Sequence, residues 1–221
     1  VRSSPHRRRN TLKKQISAIA LACLAPVAVL AGADSDKPVA VGEKVPGFEL
    51  LDEMGQTHAL QHYLDQDKVV VLEWFNPECP AVGFYHLRST AAVETWSRYE
   101  DTDVVWLAVN SGAPGKQGYG VEKNRAFAEK QELPYPILMD PDGTLGRRLG
   151  ATVTPHVMVV DRDGTLVYRG AFDDAMAKRA STGDCGFLKQ ALDEVLAGEE
   201  VTRSETRAQG CSVKYGPRPG A

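Results

Sequence analysis

The chain has 221 residues, of which 43% are hydrophobic and 25% are charged, which is enough for one globular domain with its own apolar core. Its formal net charge is −3. The first 33 positions hold six basic and no acidic residues, so the remainder carries 20 Lys and Arg against 29 Asp and Glu. An acidic body of this kind argues against nucleic acid as a partner.

The first 33 residues have the composition of an export signal. A basic stretch ends near Lys14, an apolar stretch covers 16–30, and small residues at 31–33 precede Asp34. The apolar stretch is too short and too rich in alanine for a membrane span. We therefore predict a signal peptide over 1–33 and an exported, periplasmic or otherwise extracytoplasmic mature form with no membrane span.

The remaining chain divides into a domain over 34–200 and a polar tail over 201–221. Its apolar patterns predict, in chain order, a hairpin over 48–60, a helical turn over 60–64, a strand over 69–75, a helix over 80–99, a strand over 104–109, a helix over 121–132, a strand over 134–139, a short helix ending at 149, a hairpin over 156–169 and a helix over 186–197. Strands separated by helices imply parallel crossovers. The final hairpin adds an antiparallel edge, which predicts a three-layer α/β arrangement.

Two segments show no helical or strand periodicity. Residues 111–120 are rich in glycine and contain Lys116, but no Ser or Thr follows this lysine as it would in a phosphate-binding loop. We therefore predict a mobile surface loop there. Residues 203–221 predict a mobile polar tail, which carries Cys211.

The strongest functional signal is the stretch that ends in Cys79. The run Val69–Leu72 is typical of a buried central strand, and Pro80 suits the first position of a helix. Cys79 should therefore lie where a strand meets a helix N-terminus, which favours a reactive thiolate. The alternative is a small buried cysteine that only packs.

Three cysteines follow the predicted signal peptide, namely Cys79, Cys185 and Cys211. Because the number is odd, at most one internal disulfide forms and one thiol remains. Three pairings are possible, and the sequence alone leaves them open.

Several segments together resemble a known family. They are Val-Pro-Gly-Phe-Glu-Leu at 45–50, Trp-Phe-Asn-Pro-Glu-Cys-Pro at 74–80, Thr-Pro-His-Val-Met-Val-Val-Asp at 154–161 and Asp-Gly-Thr-Leu-Val-Tyr-Arg-Gly at 163–170. Over 42–198 the chain resembles the redoxin branch of thioredoxin-like proteins, the relatives of alkyl hydroperoxide reductase and thiol-specific antioxidant. Its Gly-Cys-Ser-Val-Lys-Tyr ending resembles that of an exported subgroup. The resemblance implies a thioredoxin-like three-layer sandwich with a central mixed β-sheet and an N-terminal β-hairpin extension.

The resemblance also implies roles for Thr154 and Pro155. In such proteins they form a loop with a cis X–Pro bond, which places the backbone before Pro155 beside Cys79. An extended substrate peptide can pair with that backbone. The alternative is a trans proline that enters an edge strand.

The chain departs from the family pattern around Cys79. A thioredoxin has a second cysteine where this chain has Asn76, and a peroxiredoxin has threonine at that position and proline at the position of Leu72. A peroxiredoxin also has an active-site arginine, for which Arg88, Arg147 and Arg169 are unranked candidates. Glu78, next to the thiol, is expected to raise the pKa of Cys79.

These features predict a thiol-dependent oxidoreductase without a cofactor. Cys79 would attack a protein disulfide or a hydroperoxide, and a second thiol would resolve the product. Cys211 is the preferred resolving residue and Cys185 the second choice. A structural Cys185–Cys211 bridge is the competing role for that pair. The sequence does not identify the electron donor.

Two other functions fit parts of the sequence. Cys79 with His86 and His156 could hold copper or zinc, as in chaperone-like metal-binding relatives of this fold, although those use a second nearby cysteine. The chain could also be a binding module that kept the fold without the reaction.

Overall fold

The structure is a computed structural model that describes residues 1, 37–89, 91–180, 183 and 186–218. The predicted signal peptide and Cys185 lie outside the described residues. In chain order the elements are β1 (Glu49–Leu51), β2 (Thr57–Ala59), α1 (Leu60–Leu64), β3 (Val69–Trp74), α2 (Pro80–Gly83), a π-helical turn (Phe84–Arg88), α3 (Ala91–Tyr99), β4 (Val104–Asn110), α4 (Val121–Lys130), β5 (Ile137–Met139), α5 (Thr144–Leu149), β6 (Val153–Thr154), β7 (His156–Val160), β8 (Leu166–Gly170), α6 (Ala175–Lys178), α7 (Phe187–Leu196) and β9 (Cys211–Ser212).

The centre of the domain is a mixed five-stranded sheet in the order β5-β4-β3-β7-β8. β3, β4 and β5 are parallel, and β7 and β8 are antiparallel to their neighbours. β3 is buried along its whole length, because its side chains alternate between two apolar layers. Val71 packs with the cluster that contains Leu188 of α7, and Leu72 packs with the cluster that contains Leu149 of α5. The α/β sandwich is thus confirmed, as is the N-terminal hairpin of β1 and β2.

The helix predicted over 80–99 is divided. Pro80–Gly83 is α-helical, Phe84–Arg88 is a π-helical turn, and a second α-helix begins at Ala91. The wider turn lets both Tyr85 and His86 face inward, although they are neighbours in sequence. His86 Nε2 lies 2.7 Å from Oε1 of Glu73, which is fully buried in β3.

The described part of the tail, residues 201–218, is docked on the domain, in contrast to the mobile tail predicted from its composition. β9 pairs antiparallel with β6, so that Cys211 lies opposite Thr154. Further along, the hydroxyl of Tyr215 donates to the carbonyl of Ala151 at 2.9 Å. The guanidinium of Arg147 lies 4.5 Å from the centre of the Tyr215 ring.

A buried carboxyl group supports the surface on which Tyr215 rests. Asp140 accepts hydrogen bonds from the Ser111 hydroxyl at 2.5 Å and from the backbone N–H of Gly146 at 2.9 Å. Burial raises the pKa of Asp140 to about 6, against the opposing effect of these hydrogen bonds. Asp140 also adds a negative field near Tyr215, whose pKa is raised mainly by burial.

This raised pKa predicts a pH-dependent stability. The folded state binds the Asp140 proton more tightly than the unfolded state does, where the pKa is near 3.8. The contribution of Asp140 to the free energy of unfolding should therefore be greatest below pH 3.8, fall by roughly 3 kcal/mol as the pH rises to about 6, and stay constant above it.

Urea unfolding of the wild type and of Asp140→Asn between pH 4 and 7 measures this difference. The difference in the free energy of unfolding between the two proteins should change as the pH rises from 4 to about 6 and stay constant from there to pH 7. Asp163→Asn, at an exposed turn, is the control and should keep the wild-type profile. Parallel profiles for wild type and Asp140→Asn would rule out Asp140 as the source.

Candidate active site

Cys79 lies at the junction that the sequence predicts. It caps α2, with Pro80 as the first helical residue. A tight turn after β3 brings it there, in which the N–H of Cys79 donates to the carbonyl of Asn76 at 3.0 Å. The side-chain oxygen of Asn76 accepts from the N–H of Glu78 at 2.9 Å, so a buried asparagine holds the turn in shape.

The proline loop lies directly beside Cys79. The antiparallel register of β3 and β7 pairs Trp74 with His156, which places the residues before β7 next to the end of β3. The Thr154–Pro155 bond is cis, as the resemblance implied. The thiol of Cys79 donates to the carbonyl of Thr154 at 3.2 Å.

The tail strand β9 covers this pair. It occupies the backbone edge at Thr154 that the resemblance assigns to an extended substrate peptide. The approach is so close that a Cβ on Gly210 would overlap the carbonyl of Thr154, which explains why glycine precedes Cys211. Cys79 is 2% exposed as a result, while Cys211 is only partly buried.

The two thiols have opposite electrostatic environments. Burial alone raises the pKa of Cys79, but hydrogen bonds from the Cys211 and Thr154 side chains and from the Val82 and Cys211 backbone outweigh it, so the pKa is lowered. The Thr154 hydroxyl is buried and has no other hydrogen-bond partner among the described residues, so it can donate to a thiolate. Burial and the neighbouring Cys79 raise the pKa of Cys211. Of the two thiols, Cys79 is therefore the one that loses its proton first as the pH rises.

The pKa of Cys79 is lowered rather than raised, and Glu78 is not among the main groups that shift it. Glu78 points away from the thiol, with Oε2 2.8 Å from Lys123 Nζ and 2.6 Å from the N–H of Gly118. Hydrogen bonding to Lys123 lowers the pKa of Glu78. The glycine-rich loop is consequently docked against the active-site turn rather than free: at Gly118, where φ is +80°, a Cβ would lie 2.8 Å from the Asn76 amide nitrogen.

Cys79, His86 and His156, which the sequence suggested as metal ligands, do not form a metal-binding group among the described residues. His86 is engaged by Glu73, and burial lowers the pKa of His156 to about 4, with Arg169 adding to the effect. Within the part of the chain that the structure describes, no group of three or more His, Cys, Asp and Glu side chains could hold a metal ion.

The three candidate arginines also differ in position. Arg147 stacks on Tyr215, and Arg169 binds Glu205 and the carbonyl of Val39. Arg88 alone of the three lines the same surface cavity as Cys211. Among the described residues, the groups that hydrogen-bond to Cys79 include none of these arginines.

Sequence reasoning missed Gly210, Asn76 and Gly118 as site residues. A glycine immediately before a cysteine in a polar tail was the one available signal for the close approach of two backbones. The roles of Asn76 and Gly118 depend on contacts between segments 40 residues apart, for which the sequence holds no local pattern.

The steric limit at Gly210 predicts a way to open the site. Gly210→Ala should push β9 away from Thr154 and expose Cys79, because the overlap is with backbone that cannot turn aside. Overpacking of this kind costs about 1–3 kcal/mol, so alkylation of Cys79 by iodoacetamide should be about tenfold faster or more. Gly47→Ala is the matched control, since a Cβ there meets nothing within 4 Å. Equal rates in both variants would mean that the tail does not shield Cys79.

The hydrogen bond between the thiols predicts coupled titration. Cys211→Ala should raise the pKa of Cys79, because it removes a side-chain donor to the thiolate. Cys79→Ala should lower the pKa of Cys211, because it removes the neighbouring negative charge. Thiolate absorbance in the ultraviolet, followed against pH, measures both shifts. Unchanged midpoints would contradict the contact.

Two known proteins share part of their sequence with this chain. A 141-residue stretch is 30% identical to a peroxiredoxin of Aeropyrum pernix, over 57% of this chain and 52% of that protein. The chain thus spans about half the length of that relative. A 128-residue stretch is 30% identical to the thiol-disulfide oxidoreductase ResA of Geobacillus thermodenitrificans, over 58% of this chain and 67% of that protein.

The fold has counterparts among solved structures. A hypothetical protein of Sinorhizobium meliloti 1021 superposes with a TM-score of 0.70 at 25% identity, over 82% of this chain and 97% of that one. Residues 40–182 match the family model described as Redoxin, which is more than half of the chain. The chain therefore belongs to the redoxin family and has its thioredoxin-like fold.

Proposed function

We propose that this protein is a thiol oxidoreductase whose redox pair is Cys79 and Cys211. The observation that carries the proposal is the pairing of β9 with β6, which sets Cys211 opposite Thr154 and within hydrogen-bonding reach of Cys79. In a thioredoxin the two redox cysteines are separated by two residues. Here Asn76 stands at the position of the first, and Cys211 would supply the second thiol instead. Thr154 and Pro155 position the two thiols.

The chemistry follows from the two pKa shifts. With a disulfide substrate, the Cys79 thiolate attacks one sulfur, the substrate disulfide breaks, and one substrate thiolate leaves. With a hydroperoxide, the thiolate takes the terminal oxygen to give a sulfenic acid, and an alcohol leaves after protonation. In either case Cys211 then attacks Cys79. The product is a Cys79–Cys211 disulfide, with release of the second substrate thiol or of water.

Contacts of the described residues favour disulfide exchange over peroxide reduction. The Asn76 side chain donates to the carbonyl of Gln117 at 3.2 Å and accepts from its own turn, and it carries no hydroxyl group like that of the peroxiredoxin threonine. Arg147 and Arg169 are held away from the thiol by their own partners. Peroxide reduction remains the second candidate because a curated relative is a peroxiredoxin.

The burial of Cys79 adds a requirement. Because β9 covers the thiol, a substrate reaches it only when the tail strand moves aside. A protein whose tail never opened in this way would be a non-catalytic binding module.

We further propose that the chain acts outside the cytoplasm after removal of a signal peptide over 1–33, where a disulfide can persist. No helix among the described residues is long and apolar enough to cross a membrane.

Oxidation of the purified protein tests the redox pair. Treatment with diamide should yield a Cys79–Cys211 peptide in non-reducing mass spectrometry, and peroxide should yield the same peptide more slowly. Cys79→Ser and Cys211→Ser should each abolish it. Cys185→Ser is the matched control and should leave it intact. A Cys185–Cys211 peptide with unmodified Cys79 would overturn the proposal and assign Cys211 a structural role.

A further inference from the structure

A small cavity of about 400 Å³ opens against Cys211. Phe84 and Met176 supply apolar walls, and the side chains of Gln209 and Arg88 are polar members of its lining. Cys79 does not line it and is 2% exposed. A molecule in this cavity therefore contacts Cys211 and not Cys79.

We propose that the cavity binds the electron donor, a small thiol that carries a carboxylate, and that this thiol attacks the sulfur of Cys211. The inference rests on the proposed function, since it concerns the step that returns the Cys79–Cys211 disulfide to two thiols. It assigns a separate sulfur to each half of the cycle: Cys79 meets the oxidant and Cys211 meets the reductant.

The exchange has two balanced steps. The donor thiolate attacks Cys211 Sγ, a new sulfur–sulfur bond forms there, and the bond to Cys79 breaks as Cys79 leaves with the electron pair. A second donor thiolate then attacks the donor sulfur on Cys211, and Cys211 leaves and takes up a proton. Two donor thiols become one disulfide while the protein disulfide becomes two thiols.

The environment of Cys79 suits a leaving group. Exchange is faster when the departing sulfur has the lower pKa and when the attacked sulfur is accessible. The Thr154 side chain and the backbone N–H of Val82 donate to Cys79 and act to lower its pKa, and neither donor is lost when the Cys211 sulfur is part of the disulfide. Cys211 is the more exposed of the two residues. Both conditions point to attack on Cys211.

The position of β9 explains why the donor should be small. The disulfide would hold Cys211 at Cys79 and thereby keep β9 paired with β6. The backbone edge before Pro155 is then closed to an extended peptide from another protein. The cavity beside Cys211 stays open, and its size admits a thiol of a few heavy atoms to about twenty, not a folded partner.

The charge of Arg88 explains why the donor should carry a carboxylate. Arg88 is exposed, and among the described residues that line the cavity it is the one ionisable residue apart from Cys211. A planar guanidinium at the rim binds a carboxylate with two parallel hydrogen bonds.

Mapping of the trapped intermediate tests which sulfur is attacked. The full-length protein, oxidised with diamide, is mixed with mercaptopropionate and quenched with N-ethylmaleimide after milliseconds. Peptide mass spectrometry should find mercaptopropionate on Cys211 and maleimide on Cys79 in the same molecules. The reverse assignment, with mercaptopropionate on Cys79, would overturn this inference. Failure to form the Cys79–Cys211 disulfide at the first stage would instead refute the proposed function.

Comparison of two donors tests the role of Arg88. Arg88→Glu should slow reduction by mercaptopropionate roughly tenfold and leave reduction by uncharged mercaptoethanol within about twofold, because only the first donor carries a carboxylate. Arg88→Gln should give a smaller loss in the same direction. Lys130→Glu changes the net charge equally at an exposed site on α4 and should not distinguish the donors. Equal slowing of both donors, or of neither, by Arg88→Glu would overturn the inference.

Discussion

The active-site arrangement depends on the antiparallel pairing of two short strands, β6 and β9. Each contains only two residues, yet together they set the position of Cys211, the burial of Cys79 and the occupancy of the edge before Pro155. Two residues of backbone pairing are too weak to hold a chain end alone. The tail therefore needs further contacts, which Tyr215 provides through its hydroxyl and its stacking on Arg147. Glycines complete the fit, since side chains at Gly143 and Gly210 would collide with the tail or its partner.

The parts of the fold that the sequence predicted well have strong local signals. The β-branched run Val69–Leu72 marks a central strand, Pro80 marks a helix start, and together they locate Cys79 at the junction. The cis bond before Pro155 followed from the resemblance and is present. The central sheet followed from the alternation of strands and helices, because crossover rules leave few topologies.

The parts that the sequence did not predict depend on contacts between distant segments. β9 has no periodicity of its own and exists because Thr154 offers it an edge. The π-helical turn accompanies a contact between segments, in which Glu73 of β3 binds the inward-facing His86. Proximity in sequence was a poor guide for Glu78. It directly precedes Cys79 in the chain, but its carboxylate binds Lys123 of α4. Which way a side chain points is set by tertiary packing and not by its position in the chain.

A redox pair with one member on a docked tail couples the chemistry of the thiols to the docking of that tail. In a pair separated by two residues, the proximity of the sulfurs is built into one helical turn. Here the effective concentration of Cys211 at Cys79 equals the fraction of time for which the tail is docked, multiplied by the local concentration in the docked state. A contact that holds Tyr215 therefore stabilises the disulfide relative to the two thiols only as far as it raises the docked fraction of the reduced tail. By linkage the disulfide must in turn strengthen docking, which keeps the peptide edge closed for as long as the protein is oxidised.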